Sequence, residues 1–135
     1  FNTGANLSVP MFGVVIRTSY GLGVQAMCGA SSLVPFFTVA WPTAEFAGMN
    51  IEGAVKLGYR DDLAAIENPD ERIEAYERMV AEKYENAKAV NTAIYFGIDD
   101  VIDPADTRRW IANGLRSLPP VPKRTNKKRP YIDTW

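Results

Sequence analysis

Apolar residues in the first half of the chain fall in short unbroken runs. "MFGVVI" (11–16) is one, and its β-branched Val14, Val15 and Ile16 favour a strand. "FFTVAW" (36–41) is a second run of the same kind, ended by Pro42. A continuous run of this length is the pattern of a strand buried on both faces, as in parallel sheets. Gly21 and Gly23 break the first strand, and residues 23–28 can form a short helix that stops near Gly29. "NIEGAVKLGY" (50–59) predicts another short helix with Asn50 as its cap, despite Gly53.

From residue 68 onward the pattern becomes helical. Asn68 can cap, Pro69 suits the first helical position, and Glu71 stands three after the cap. Ile73, Tyr76, Val80, Tyr84 and Ala87 recur at spacings of three or four, which predicts one apolar face and a helix reaching 87–89. Glu74, Glu77, Arg78, Glu82 and Lys83 are expected on the other face. "DPAD" (103–106) repeats the start signal, with Asp103 as cap, Pro104 first and Asp106 third; its helix should end near Gly114 or Leu118. After Pro119-Pro120 the pattern is lost in a basic, proline-containing segment. The expected organisation is a body over 1–119 and an extended tail over 120–135, with no internal sequence repeat.

Charge modifies this picture. Overall the chain is an ordinary single globular domain in size and make-up, with 135 residues, 47% hydrophobic and a net charge of −1. Yet residues 1–43 carry one charged side chain, Arg17, while 15 of the 16 acids lie in 44–107 and 8 of the 15 bases in 108–135. The first third therefore reads as interior, covered by something else. It does not read as a membrane span, because its apolar runs fall well short of the roughly 20 residues needed. No basic segment precedes an apolar one as in a signal peptide. The chain opens with Phe1 in mid-pattern, which points to a piece of a longer protein.

Candidate chemistry is narrowed by what is missing. Cys28 is the only cysteine and histidine is absent, which leaves only an oxygen-ligand metal site from Asp and Glu conceivable. Asp99, Asp100, Asp103 and Asp106 are the acids to consider, and helix capping already accounts for Asp103 and Asp106. Thr107, Arg108 and Arg109 can hold a phosphate or carboxylate, or pair with neighbouring acids. Cys28 lacks an imidazole to lower its pKa and reads as a structural thiol. Lys123, Arg124, Lys127, Lys128 and Arg129 fit a solvated or subunit-docking tail better than a nucleic-acid surface, since interleaved aromatics are lacking until Tyr131 and Trp135.

Gly21-Leu22-Gly23 allows two readings. One is a tight turn in which glycine supplies a positive φ. The other is a strand-to-helix turn whose free N–H groups point at an oxygen gaining negative charge. A dinucleotide site fits less well, with Ala26 at the third glycine's place and no suitably placed acid in a following βαβ unit. Spacing alone favours the tight turn, since a lone Gly-x-Gly is a weak signal.

Four stretches together resemble the carboxyltransferase (beta) subunits of biotin-dependent acyl-CoA carboxylases, the propionyl-, acetyl- and methylcrotonyl-CoA carboxylase type. They are "VPMFGVVIRTSYGLGVQAMCG" (9–29), "FTVAWPTAEFAGMNIEGAVKL" (37–57), "IDDVIDPADTRRWI" (98–111) and "KKRPYIDTW" (127–135), in the family's order. The resemblance implies an α/β fold, the C-terminal portion of a crotonase-like (ClpP/crotonase) ββα superhelix, with 1–119 in the carboxyltransferase C-domain. It implies carboxyl transfer from carboxybiotin to the α-carbon of an acyl-CoA through a thioester enolate. The oxyanion-hole amides fall on Leu22 and Gly23, with Gly21 in the turn and Tyr20, Val24 and Gln25 in the biotin and substrate pocket; no metal is implied. Gly-Leu-Gly is closer to the Gly-Ala-Gly of methylcrotonyl-type members than to the Gly-Gly-Ala of propionyl and acetyl types, which leaves the acyl group open.

The implied partners are the N-terminal remainder of the subunit, a biotin carboxylase or biotin carboxyl carrier subunit, and further copies in a dimer-based, hexameric oligomer. Neither nucleic acid nor membrane is implied. A cytoplasmic location is expected, or the mitochondrial matrix in a eukaryote. Catalysis by a cofactor and backbone dipoles also accommodates a chain without histidine. Two rival readings are a non-catalytic interaction fragment and a crotonase-like acyl-CoA hydratase or decarboxylase.

Overall fold

The computed structural model describes residues 9–28 and 35–120, together with Phe1, Gly4 and Leu7. Two β–β–α units follow one another and stack. The first is β1 (Phe12–Val15), β2 (Thr18–Tyr20) and α1 (Leu22–Met27); the second is β3 (Phe37–Ala40), β4 (Glu45–Ala47) and α2 (Ile51–Gly58). β1 lies parallel to β3, with Phe12 opposite Phe37, and β2 lies parallel to β4, with Tyr20 opposite Ala47. Each unit therefore leaves one sheet, turns a corner and enters the other. The repeat is one of backbone path, and no sequence repeat accompanies it.

The two corners are built against each other. The second, Trp41–Ala44, is the heart of the "WPTAE" stretch. Trp41 N–H donates to Val15 O at 2.9 Å, Thr43 Oγ1 to Ile16 O at 2.7 Å, and Glu45 N–H to Arg17 O at 3.2 Å. Pro42 ends β3 because it has no N–H to continue the ladder. Trp41 Nε1 also donates to Thr107 Oγ1 at 3.0 Å, which ties this corner to the last helix.

β3 is the central strand of its sheet, ordered β1–β3–β5 and parallel throughout, and all four of its residues are buried. Its continuous apolar run is thus explained by burial on both faces. Val15, Ala40, Ala44, Ala89 and Ile98 form one core cluster, and Phe37, Val39 and Ile102 form a second beneath Trp110 and Ile111. The polar exception, Thr38, has its N–H bonded to Asp99 Oδ2 at 2.7 Å, and its carbonyl accepts from Asp99 N–H at 2.8 Å. The first third is only partly covered, however. Leu22 is 67% and Met27 82% exposed among the described residues.

The helical half is α3 (Arg60–Ala64), α4 (Pro69–Ala87), α5 (Ala89–Ile94), β5 (Asp100–Val101), a 3₁₀ turn at Pro104–Asp106 and α6 (Thr107–Ser117). The cap signals are realised. Asn50 Oδ1 accepts from Gly53 N–H, Asn68 Oδ1 from Asp70 N–H, and Asp103 Oδ1 from Ala105 N–H. The apolar stripe expected on α4 holds from its second member onward: Ala87 is buried with Ala75 beside the stripe, Tyr76, Val80 and Tyr84 are half-buried, and only Ile73 of the five is exposed. The side of α4 turned towards α2 is aromatic and polar. Tyr84 reaches Glu52 of α2, and Lys56 Nζ lies 5.5 Å from the Tyr76 ring centre.

Gly114 on α6 sits where the helix meets two stacked rings, Phe12 and Phe37, whose centres are 4.8 Å apart. A Cβ there would stand 2.8 Å from Phe37 Cε1 and 2.9 Å from Phe12 Cε1. Gly114→Ala should therefore destabilise the fold by about 1–3 kcal/mol through overpacking. A urea unfolding midpoint equal to the wild type would contradict it. No helix among the described residues is long and apolar enough to cross a membrane. The segment 121–135, with its basic residues and the "KKRPYIDTW" ending, lies outside the described residues.

Candidate active site at the Gly21 turn

β2 ends at Tyr20, and the chain enters α1 through a single residue. Gly21 adopts φ 69° and ψ −159°, a region essentially closed to residues with a Cβ. Its N–H donates to Ala47 O at 2.9 Å, so the turn is fastened to the end of β4. No side chain caps the helix that follows. The first N–H groups of a helix have no intrahelical acceptor, which leaves Leu22 and Gly23 as donors at the positive end of the helix dipole. The turn reading and the donor reading thus coexist, divided between residues. Gly21 supplies the positive φ; Gly23 does not need it, and a Cβ on Gly23 would meet open space.

Beside the Leu22 end of this turn opens a cavity of about 400 Å³ lined by Ser19, Gly21, Leu22, Val24, Gln25, Phe46, Ala47 and Gly48. The structure thus brings Gly21, Leu22, Val24 and Gln25 to one cleft, whereas the expected donor Gly23 is not among its lining residues. Sequence reasoning missed Ser19, whose hydroxyl is buried without a hydrogen-bond partner. Strand alternation turns Ser19 to the face opposite Thr18 and Tyr20, and only recognition of the three-residue strand β2 would have signalled this. A larger cavity of about 680 Å³ lies between Phe36, Phe37 and α6 and shares no lining residue with the first.

Tyr20 is placed differently from its cleft neighbours. Its hydroxyl donates to Glu45 Oε2 at 2.8 Å and is absent from the cavity lining. Burial, that bond and the nearby charges of Glu45, Tyr84 and Glu52 push the phenol well above its ordinary value of 10.0. The sign follows from the raised value. Tyr20 stabilises the fold fully below pH 10, and that contribution is lost as the pH climbs beyond it, because the unfolded phenol ionises first. Wild type should lose stability more steeply than Tyr20→Phe between pH 10 and 11 in urea titrations; parallel curves would contradict the account.

The other candidates have local explanations. Asp99 holds the Thr38 amide, Asp103 caps, Asp106 pairs with Arg109 at 2.7 Å, and Asp100 Oδ1 accepts from Val101 N–H. No group of three or more His, Cys, Asp or Glu among the described residues is placed to hold a metal ion. Thr107 donates to Pro104 O while receiving Trp41 Nε1. Burial raises the pKa of the half-buried Cys28 thiol, which disfavours the thiolate a nucleophile needs.

With this geometry established, comparison with known proteins places it. Residues 3–132 match the carboxyl transferase domain family. The methylmalonyl-CoA carboxyltransferase 12S subunit of Propionibacterium freudenreichii subsp. shermanii is 40% identical over 112 residues, 80% of this chain and 20% of that subunit. The crystal structure of the transcarboxylase 12S hexamer with methylmalonyl-CoA and methylmalonic acid bound superposes with a TM-score of 0.76. It is 32% identical and covers 95% of this chain and 25% of that one. A single-chain, multi-domain long-chain acyl-CoA carboxylase matches at 48% identity and a TM-score of 0.67, over 82% of this chain and 10% of its own. The chain spans about a fifth of the length of the curated relatives it matches.

Proposed function

The chain belongs to the carboxyl transferase domain family, and from that premise we propose that it forms the C-terminal part of a carboxyltransferase subunit of a biotin-dependent acyl-CoA carboxylase. Its mixed α/β architecture is the crotonase-like fold of those enzymes. The reaction is transfer of a carboxyl group from carboxybiotin to the α-carbon of an acyl-CoA. The observation that carries this reading is the Gly21 turn, which opens a helix without a side-chain cap and sets Gly21 and Leu22 in the wall of a cleft, with Gly23 next in the chain.

Both guests suit this cleft. Uncapped amides and the orphaned hydroxyl of Ser19 match a ligand rich in acceptor oxygens, such as a ureido or thioester carbonyl. Carboxybiotin, delivered by a carrier, supplies the carboxyl group and the base. This chain's part is electrostatic. As the substrate's α-proton leaves, negative charge grows on oxygen, and preorganised N–H donors lower the barrier without reorganising. Leu22 and Gly23 carry that role, Gly21 aims them, and Val24 and Gln25 shape the pocket wall. The Leu22 side chain, exposed beside the donors, is placed to influence which acyl group enters.

Relatives about five times as long support a division of labour in which the rest of the subunit provides the remaining site, biotin arrives on a carrier, and copies assemble, as 12S does into a hexamer. A cytoplasmic or mitochondrial-matrix setting fits this scheme. The isolated 135-residue chain should show no carboxyl transfer. Mixed with the separately made remainder of the subunit, it should be retained on it and restore biotin-dependent transfer. Activity from the pure chain, or a retained complex that stays inactive, would overturn the proposal.

A further inference from the structure

The donor amides of Leu22 and Gly23 lie on a helix that holds itself poorly in place. α1 is six residues long, buries none of them fully and half-buries only Val24 and Ala26, so its packing holds it weakly. What fixes the amides is therefore the segment before them. Beyond the β2–β4 ladder, two ties to β4 hold the end of that segment among the described residues: Gly21 N–H to Ala47 O at 2.9 Å, and the Tyr20 hydroxyl to Glu45 Oε2 at 2.8 Å. The first adds one rung at the end of that ladder. The second is a side-chain bond across 25 residues of sequence, from the last residue of β2 to the first of β4.

Glu45 is itself anchored on several sides. It faces Thr18 in the parallel ladder, its N–H donates to Arg17 O, and it bridges Lys88 in antiparallel fashion at the junction of α4 and α5. The preceding Ala44, 1% exposed, accepts from Ala89 N–H at 2.9 Å. The Glu45 main chain is thus held between β2 and the junction of α4 and α5, and its carboxylate projects from that fixed point to the Tyr20 hydroxyl. We infer that Glu45 is a positioning residue for the carboxyl transfer: its carboxylate grips the Tyr20 hydroxyl and so sets the direction in which the Leu22 and Gly23 amides point. This rests on the oxyanion role given to those amides and assigns the "WPTAE" stretch a part in it. Its tryptophan, proline and threonine build the corner, and its glutamate holds the turn. The Tyr20 phenol is protonated, and hence a donor, across the neutral range at its ordinary value of 10.0, and burial and the Glu45 bond raise it further.

The test uses the complete subunit carrying this chain, assayed for biotin-dependent transfer with acyl-CoA varied. Tyr20→Phe and Glu45→Leu should each lower kcat about tenfold with KM for acyl-CoA changed less than about twofold, since misaimed donors lose transition-state stabilisation rather than substrate binding. Glu45→Gln keeps an acceptor oxygen and should recover to within about threefold of the wild type. The double variant Tyr20→Phe/Glu45→Leu should be no slower than the worse single one, because both remove the same bond. An active wild type with Tyr20→Phe at an unchanged kcat would overturn this role alone, as would losses that multiply in the double variant. A Glu45→Gln variant as slow as Glu45→Leu would overturn it as well. An inactive wild-type subunit would overturn the carboxyltransferase reading and this role with it.

Discussion

Gly23→Pro in the complete subunit should lower kcat by about 10²–10³-fold, the loss expected when one oxyanion donor is removed from a preorganised site. Proline deletes the N–H and is tolerated in a helix's first turn, where no intrahelical bond depends on that group. Gly23 is the second residue of α1, and a Cβ at this position meets nothing within 4 Å, so the added Cβ is not opposed by packing. Gly23→Ala is the matching control. It adds the Cβ into the same open space and keeps the N–H, and its kcat should stay within about tenfold of the wild type. Equal losses in the two variants would point to crowding of the cleft rather than loss of a donor.

Gly21→Ala should impair both folding and catalysis. At φ 69° and ψ −159° an alanine costs about 1–3 kcal/mol, and its Cβ would also stand 3.3 Å from Gly48 O. Relief of that strain rotates the peptide planes that carry the Leu22 and Gly23 amides, and misplacement of about 1 Å can cost about 10²-fold in rate. Unfolding midpoint and kcat should therefore fall together. Gly58→Ala separates this from a general glycine effect: Gly58 closes α2 in open space without a positive φ, so alanine should be neutral or stabilising by up to about 1 kcal/mol. A Gly21→Ala subunit with wild-type stability and rate would contradict the account of the turn.

Legibility of the sequence followed the kind of signal each element carried. β1 and β3 could be read because burial on both faces leaves a continuous apolar run. α2 and α4 could be read because Asn50 and Asn68 are local caps whose partners lie within three residues; the Asp103 signal instead caps the 3₁₀ turn at Pro104–Asp106, and α6 begins after it without a side-chain cap. β2 and β4 could not, since each is three residues long and "TSY" and "EFA" show no pattern over that length. The short helices α3 and α5 and the two-residue β5 lack cap signals for the same reason.

Ile73 departs from the periodic stripe because periodicity assumes an apolar partner. α2 meets α4 with Glu52 and Lys56, which favour tyrosines over an isoleucine. At the site, the two glycines marked a turn, but their separate duties emerged only from φ at Gly21 and the empty space at Gly23. The bond from Tyr20 to Glu45 joins residues 25 apart and depends on the β2–β4 register, which no local pattern encodes.

The central claim is that this chain supplies oxyanion donors to a biotin-dependent carboxyl transfer. Its most direct test is the initial rate at which labelled carboxyl moves from a carboxylated biotin carrier to acyl-CoA on the complete subunit, compared between wild type and Gly23→Pro. The account predicts transfer by the wild type that requires both carrier and acyl-CoA and falls at least about 10²-fold in the variant. Transfer at the wild-type rate by a folded Gly23→Pro subunit, or none by the wild type, would contradict it.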